Sequence, residues 1–451
     1  MKTFLVSLNE RRKPVLQRDL LAGELKGRTP CAAPLGHANQ SWPRRIGDSI
    51  DIRRPWFKIW SALAFALVAT PSHAQNELAR EDAKWRIEYR AQSPDELHLN
   101  DEFLFVTNQG EAVVSGYEME VCSGELTPIA GSPFAAGRNP MSVAVEPSGG
   151  NFVYVANKGD HDVSGYTLNP SSGALKPIAG SPFVVETHPV SVVVDPNDRF
   201  AYVVTGQPPS SQERKSNISG YAISPTTGEL TAIAGSSLEI AGTGISVALD
   251  PNGKFAYVTT FLDGTGNILG YTINPSTGAL TAMPPLALPP GPTPSSVAVD
   301  PSGKFVYVTN EGSGFFFSNS VFCFAINPTT GSLGFINSFA TGVAPSSVAV
   351  DPSGKFVYVT NESSDNVSGY TINPSTGALT AIAGSPFPAG RSPRSVAVDP
   401  GDRFAYVANF GSDSISGYDI DASTGALRAM AGSPFATSGE PSSVAIWQPP
   451  P

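Results

Sequence analysis

From about residue 101 onward, short apolar runs alternate with clusters of Gly, Pro, Asn, Asp and Ser. The most regular stretches are Ser296–Asn310 and Ser347–Asn361. Each reads Ser-Val-Ala-Val, then Asp-Pro-Ser-Gly-Lys, then Phe-Val-Tyr-Val-Thr-Asn. Apolar runs of this length bounded by turn residues predict strands. In Ser347–Ile382 the pattern predicts four: A (Ser347–Val350), B (Phe356–Thr360), C (Val367–Ile372) and D (Ala378–Ile382). Strand B is apolar on both faces, as a sheet packed between two others requires. Strand A carries small residues suited to a crowded centre. The turn Asn373–Gly377 joins C to D, with Gly377 where a hairpin needs a positive φ.

The aromatic that opens strand B recurs as Phe103, Phe152, Phe200, Phe255, Phe305, Phe356 and Phe404. The Ser-Val-Ala-Val strand begins at Ser142, Ser191, Ser246, Ser296, Ser347, Ser395 and Ser443. The two series are offset. Phe103 has no such strand before it, and Ser443 has no strand B after it. Pairing the last strand with the first unit closes a ring and removes the exposed sheet edge of an open array. A repeat near 50 residues with this content predicts an all-β, seven-bladed β-propeller of four-stranded antiparallel blades, sealed by its C-terminal strand.

The remaining residues divide by charge and hydropathy. Arg53–Lys58 is basic, Ile59–Thr70 is apolar, and Pro71–Gln75 offers a small-residue site ending at Ala74. This predicts a signal peptide over 53–74, too short for a membrane span; a buried helix is the alternative. Residues 1–52 show no periodicity and read as an N-terminal extension outside the working protein, which is expected to begin near Gln75. Residues 75–100 read as a linker or short helix ahead of a propeller at 101–451. Residues 1–74 carry 12 Lys+Arg and 5 Asp+Glu, out of 29 and 39 in the chain, which leaves 17 against 34 for the rest. An acidic body of that kind argues against nucleic acid and anionic membranes as partners. The expected protein is exported to the periplasm or beyond, has no membrane span once the signal is removed, and is a monomer.

No cofactor or metal is expected. Cys122 and Cys323 fall in blades far apart on the ring, so no disulfide between them is expected. There is no Cys-x-x-Cys and no paired His motif. The Asp-Pro-Ser-Gly segments lack the alternating carboxylates of a calcium loop and read as turns.

In this blade layout the A–B and C–D turns share one face of the ring. The variable B–C and D–A connections share the other, where binding specificity normally resides. Near the entrances to strand A on that face stand Arg138, Glu186, His188, Arg391 and Arg394. These could hold an anionic small molecule, Arg by bidentate contacts and His as a titratable partner, or they are solvated rim charges. Phe315, Phe316 and Phe317 in the loop 311–319, together with Arg214 in the loop 206–217, are the expected contact surface for a partner. The alternative is that the three rings tuck against a neighbouring blade.

The Val-Tyr-Val-Thr-Asn runs at Val306–Asn310 and Val357–Asn361 resemble the YVTN repeats of bacterial and archaeal surface proteins. The fuller unit, from Asp-Pro-x-Gly-Lys-Phe through Tyr-Val to Ser-Gly-Tyr-x-Ile-x-Pro-x-Thr-Gly-x-Leu, resembles the seven-bladed lactonase family, whose named activity is 6-phosphogluconolactonase. The likeness spans Phe103–Trp447. It implies a His immediately before an inner strand, supported by Arg and Glu. Here that position holds Met141, Val190, Ile245, Ser295, Ser346, Arg394 and Ser442. His188, two residues early, is the nearest counterpart, and His188 and Arg394 are the catalytic candidates. The two readings are an exported ligand- or protein-binding propeller without strong catalysis, and a lactone hydrolase.

Overall fold

The computed structural model describes residues 102–206, 215–288, 292–312 and 319–450. The expectations for 1–100, for Arg214 and for Phe315–Phe317 lie outside them. Seven antiparallel sheets follow one another along the chain. In blade 6 the strands are Pro345–Val350, Phe356–Asn361, Asn366–Ile372 and Leu379–Ala381, within two residues of the sequence reading. Tyr358 lies opposite Gly369, and Val359 opposite Val348. The seven strands A sit side by side around the centre, each beside the strands A of both neighbouring blades.

Closure occurs where the offset repeat predicts it. Pro441–Trp447 pairs antiparallel with Glu102–Asn108, so that Phe105 faces Ala445 and Phe103 faces Trp447. Blade 1 therefore takes strand A from the C-terminus and its other strands from residues 102–135. Trp447 stands where five other blades carry the turn Asp and blade 2 carries Glu146.

The repeat residues hold one blade to the next. There is no single core; seven apolar clusters each fill the space between two neighbouring blades. The strand B tyrosines, fully buried, donate to the C–D turn of the following blade: Tyr154 to Gly228 O (2.7 Å), Tyr307 to Gly377 O (2.9 Å) and Tyr358 to Gly425 O (2.8 Å). Those glycines have φ near +70°, and a Cβ on Gly425 would lie 2.4 Å from the Phe356 ring. Near the axis, the first Ser of Ser-Val-Ala-Val accepts a backbone N–H from the next strand A. Ser142 accepts from Val192 (3.2 Å) and Ser395 from Val444 (3.2 Å). Small residues thus serve the centre as acceptors as well as by size.

The buried turn aspartates accept N–H groups of their own turns. Asp351 Oδ1 accepts the N–H groups of Lys355 (2.7 Å) and Phe356 (2.6 Å), and Asp250, Asp300 and Asp399 do the same. Cys323 is a buried free thiol that donates to Gly377 O at 3.2 Å, so it does not pair with Cys122. Among the described residues no helix is long and apolar enough to cross a membrane.

Candidate functional site

On the B–C/D–A face the residue before each Ser-Val-Ala-Val strand is set by a local irregularity. The A–B register slips between the Pro and the Ser, as at Pro345/Ser347 and Pro393/Ser395. The slip leaves the intervening residue half-buried in six blades, while Ser442 is buried. Around the axis these positions form two arcs. Met141, Val190 and Ile245 make an apolar arc, and Ser295, Ser346, Arg394 and Ser442 a polar one.

The serines of the polar arc are already engaged. Ser346 Oγ contacts Thr360 Oγ1 at 2.8 Å and donates to Pro393 O at 2.7 Å. Ser442 contacts Thr107 Oγ1 and Pro140 O, each at 2.8 Å. Ser295 repeats the pattern with Thr309 Oγ1 (2.9 Å) and Pro345 O. Each hydroxyl therefore stitches its own strand B to the next blade. In blade 4, Ile245 replaces the serine and the hydroxyl of Thr259 is buried without a hydrogen bond.

Arg394 is the one charged residue among these seven positions. Its Nε donates to Glu362 Oε1 at 3.1 Å, and its guanidinium carbon lies 3.3 Å from the centroid of the Phe410 ring. Phe410 follows strand B of the same blade and Glu362 follows strand B of blade 6. Among the described residues the Nη atoms of Arg394 make no hydrogen bond. Beside it a depression of about 510 Å³ is lined by Glu311, Ala344, Glu362, Ser363, Asp365, Arg391 and Ser392. Asp365 accepts the Ser392 N–H at 2.8 Å, which fixes the wall that presents Arg391.

A second group lies at blades 2 and 3. The rings of His161 and His188 are 4.1 Å apart, tilted by 46°. His161 sits at φ +59° in a B–C turn, held by Val185 N–H to its carbonyl (3.1 Å). Burial, then the neighbouring His161 and Lys158, depress the His188 pKa below its ordinary value. Its neighbour Thr187 buries a hydroxyl without a partner. Arg138 is exposed and bonds Asp160 through Nε (2.6 Å) and its backbone N–H (2.6 Å).

The five charged positions expected at one mouth are thus distributed. Arg391 lines the depression at blades 5 to 7, and Arg394 borders it through its bond to Glu362. His188 sits against His161, and Arg138 is committed to Asp160. Glu186 is exposed and tied to Asn217 and to Ser237 (2.8 Å), on strands C and D of blade 3. No ion pair or ring contact among the described residues joins the Arg394 group to the histidine group. His161, Glu362 and Phe410 escaped the sequence reading. All three lie in B–C turns, where the repeat imposes no pattern. Among the described residues no group of three or more His, Cys, Asp or Glu is placed to hold a metal.

Comparison with known proteins agrees with this architecture. A family model described as "Lactonase, 7-bladed beta-propeller" matches residues 88–194, 139–243 and 217–388. No curated protein matches. Among solved structures, a Bacteroides uniformis protein provisionally described as a 6-phosphogluconolactonase is 19% identical, with a TM-score of 0.64 over 77% of this chain and 99% of that one. The periplasmic gluconolactonase of Pseudomonas aeruginosa is 19% identical, with a TM-score of 0.63 over 77% and 99%. A Lactobacillus plantarum protein is 18% identical, with a TM-score of 0.63 over the same shares. At these identities the likeness is one of fold.

Proposed function

The chain belongs to the lactonase family of seven-bladed β-propellers, and from that membership we propose that it is an exported binding module. In this reading it holds a small anionic ligand, such as a sugar acid, at the mouth beside Arg394, without strong catalysis. The observation that carries the reading is the set of strand entrances. Three hydroxyls are consumed by inter-blade bonds, three positions are apolar, and the seventh is an arginine. A planar cation stacked on Phe410 and oriented by one carboxylate is pre-organised for bidentate recognition of a carboxylate or phosphate. It is not a nucleophile, and the carboxylate beside it, Glu362, is paired with its Nε. The signal-like segment 53–74 supports export.

A second reading rests on His161 and His188. A His188 held neutral near pH 7 could act as a general base toward a water attacking a lactone carbonyl, with an arginine polarising the carbonyl oxygen. Calorimetric titration of the full chain with gluconate and with gluconolactone, alongside acid release from the lactone, separates the two. Binding of gluconate that disappears in Arg394→Ala, with acid release at the buffer rate, supports the binding module. Lactone turnover abolished by His188→Ala would replace it with the hydrolase.

A further inference from the structure

We propose that the outer edge of blade 5, Leu333–Ala340, is a self-association surface that pairs antiparallel with the same strand of a second copy of this chain. A propeller exposes one strand edge per blade, and an uncovered edge is a template for another strand. Five of the seven outer edges here are broken by proline. In blades 1, 2, 6 and 7 Ser132-Pro133, Ser181-Pro182, Ser385-Pro386 and Ser433-Pro434 divide strand D into a three-residue and a two-residue piece. In blade 4 Pro284-Pro285 separates Leu280–Ala282 from Leu286–Ala287. Proline removes an N–H from the edge and blocks pairing. Blade 3 has an unbroken outer strand, Leu230–Ala241, but Glu239 lies within it and Glu229 precedes it.

Blade 5 has neither protection. Leu333–Ala340 runs as Leu-Gly-Phe-Ile-Asn-Ser-Phe-Ala, without proline or charge. The surrounding segment, residues 312–350, contains no Asp, Glu, Lys, Arg or His. Phe335 on this edge is 55% exposed, although it packs edge-on against Phe322 and Phe324, and Val343 beyond the strand is 52% exposed.

The charge pattern selects the occupant. Beyond residue 74 the chain carries 34 acidic against 17 basic residues. A basic partner would be drawn to the carboxylates elsewhere on the ring. Two copies of this acidic body repel each other wherever those carboxylates meet, and the charge-free edge of blade 5 is where they can approach without that cost. An antiparallel strand pair is also its own complement about a twofold axis, so one strand supplies both halves of the interface.

The test is sedimentation velocity of the full chain over a wide concentration range. The expected result is a mass that rises toward twice the monomer. Gly334→Lys and Asn337→Lys each add a lysine to both strands of the pair, so that like charges lie close across the short interface, and each is expected to weaken association by about ten-fold or more. Both fit the fold: a Cβ at Gly334 meets nothing within 4 Å, and Asn337 is exposed. Unchanged melting confirms that they fold. Thr231→Lys, on the exposed face of the blade 3 edge, adds the same charge elsewhere and is expected to leave the dimer intact. A wild-type chain that stays monomeric, a dimer that survives both blade 5 variants, or equal loss in Thr231→Lys would each overturn the proposal.

Discussion

Trp447 stacks on Phe103, with 5.5 Å between ring centroids and 22° between the planes, and its Nε1 donates to Gly150 O at 2.6 Å. The last strand of the ring is thereby fastened to blade 1 by its ring face and to blade 2 by its N–H. Blade 1 also carries Phe105 where six other blades place the inter-blade tyrosine, so the strand B hydroxyl bond is missing here, and the indole N–H joins the blades together with Tyr166, whose hydroxyl donates to Ala135 O at 2.6 Å. Trp447 is fully buried. Trp447→Ala is expected to cost about 3–5 kcal/mol, as large-to-small changes at buried aromatic sites do. Trp447→Phe should cost less, keeping the stack and losing the hydrogen bond. Denaturant unfolding of both variants checks this, and an alanine variant as stable as wild type would mean that the C-terminal strand does not close the ring.

The Tyr358–Gly425 junction allows the two halves of the repeat to be weighed against each other. Removing the hydroxyl in Tyr358→Phe deletes a hydrogen bond whose net worth is about 1 kcal/mol. Gly425→Ala forces a Cβ into the Phe356 ring at a φ of +73° and is expected to cost about 2–4 kcal/mol. The glycine change should therefore be the more damaging in thermal melts. The opposite order would mean that the blades are held by hydrogen bonds more than by shape.

These junctions explain why the fold was legible and the site only partly so. Tyr358, Gly425 and Ser395 recur because each junction poses the same geometric problem, and a repeated problem leaves a repeated residue. The repeat could not show that the tyrosine hydroxyl reaches the next blade, since that contact joins residues 67 positions apart. Arg394 stood out as a charge in a position otherwise small or apolar. Its partners Glu362 and Phe410 did not, because they come from B–C turns of two blades that only ring geometry brings together. Arg138 and Glu186 looked like their equals in the sequence, yet local bonds to Asp160, Asn217 and Ser237 occupy them.

Glu146 marks a departure of a different kind. The blade 2 turn is one residue longer than the Asp-Pro-x-Gly-Lys-Phe turns and carries Glu in place of Asp. The longer side chain accepts one N–H, from Phe152 (3.0 Å), where Asp351 accepts two. Burial, reinforced by the charge of Asp198, raises the Glu146 pKa from 4.5 to about 7. A carboxyl raised in the folded state binds its proton more tightly there than in the unfolded chain. Its contribution is fully present below pH 4.5 and is lost as pH rises to about 7. Glu146→Gln should flatten that slope, matching wild type near pH 4 and exceeding it at pH 8 by about 3 kcal/mol. Chemical denaturation at both pH values tests it, and equal gains at both would point to packing instead.

At the mouth of the ring, Glu362 orients Arg394 and also competes with any anion for it. Arg394→Ala is expected to abolish gluconate binding. Glu362→Gln keeps a hydrogen-bond acceptor for Nε but removes the competing charge, so affinity should rise about two- to ten-fold, with a steeper loss in high salt. Calorimetry at low and high ionic strength would show this. Weaker binding in Glu362→Gln would mean that orientation of the guanidinium outweighs competition for its charge.

His188 offers a local reading of the second histidine group that does not depend on any ligand. Its imidazole is half-buried with His161 against it, so burial first, and the charges of His161 and Lys158 next, favour its neutral form. In an NMR titration His188 should gain its proton below the ordinary histidine pKa of about 6.5. His161→Asn removes the neighbouring cation while leaving a residue type that tolerates the φ of +59° at that turn. The His188 midpoint should then move upward, though not fully to the ordinary value, because burial remains. Lys158→Gln should move it in the same direction by less. If the midpoint stays put in His161→Asn, burial alone sets it. The pair would then be a packing contact, and the hydrolase reading would lose the feature that favours it.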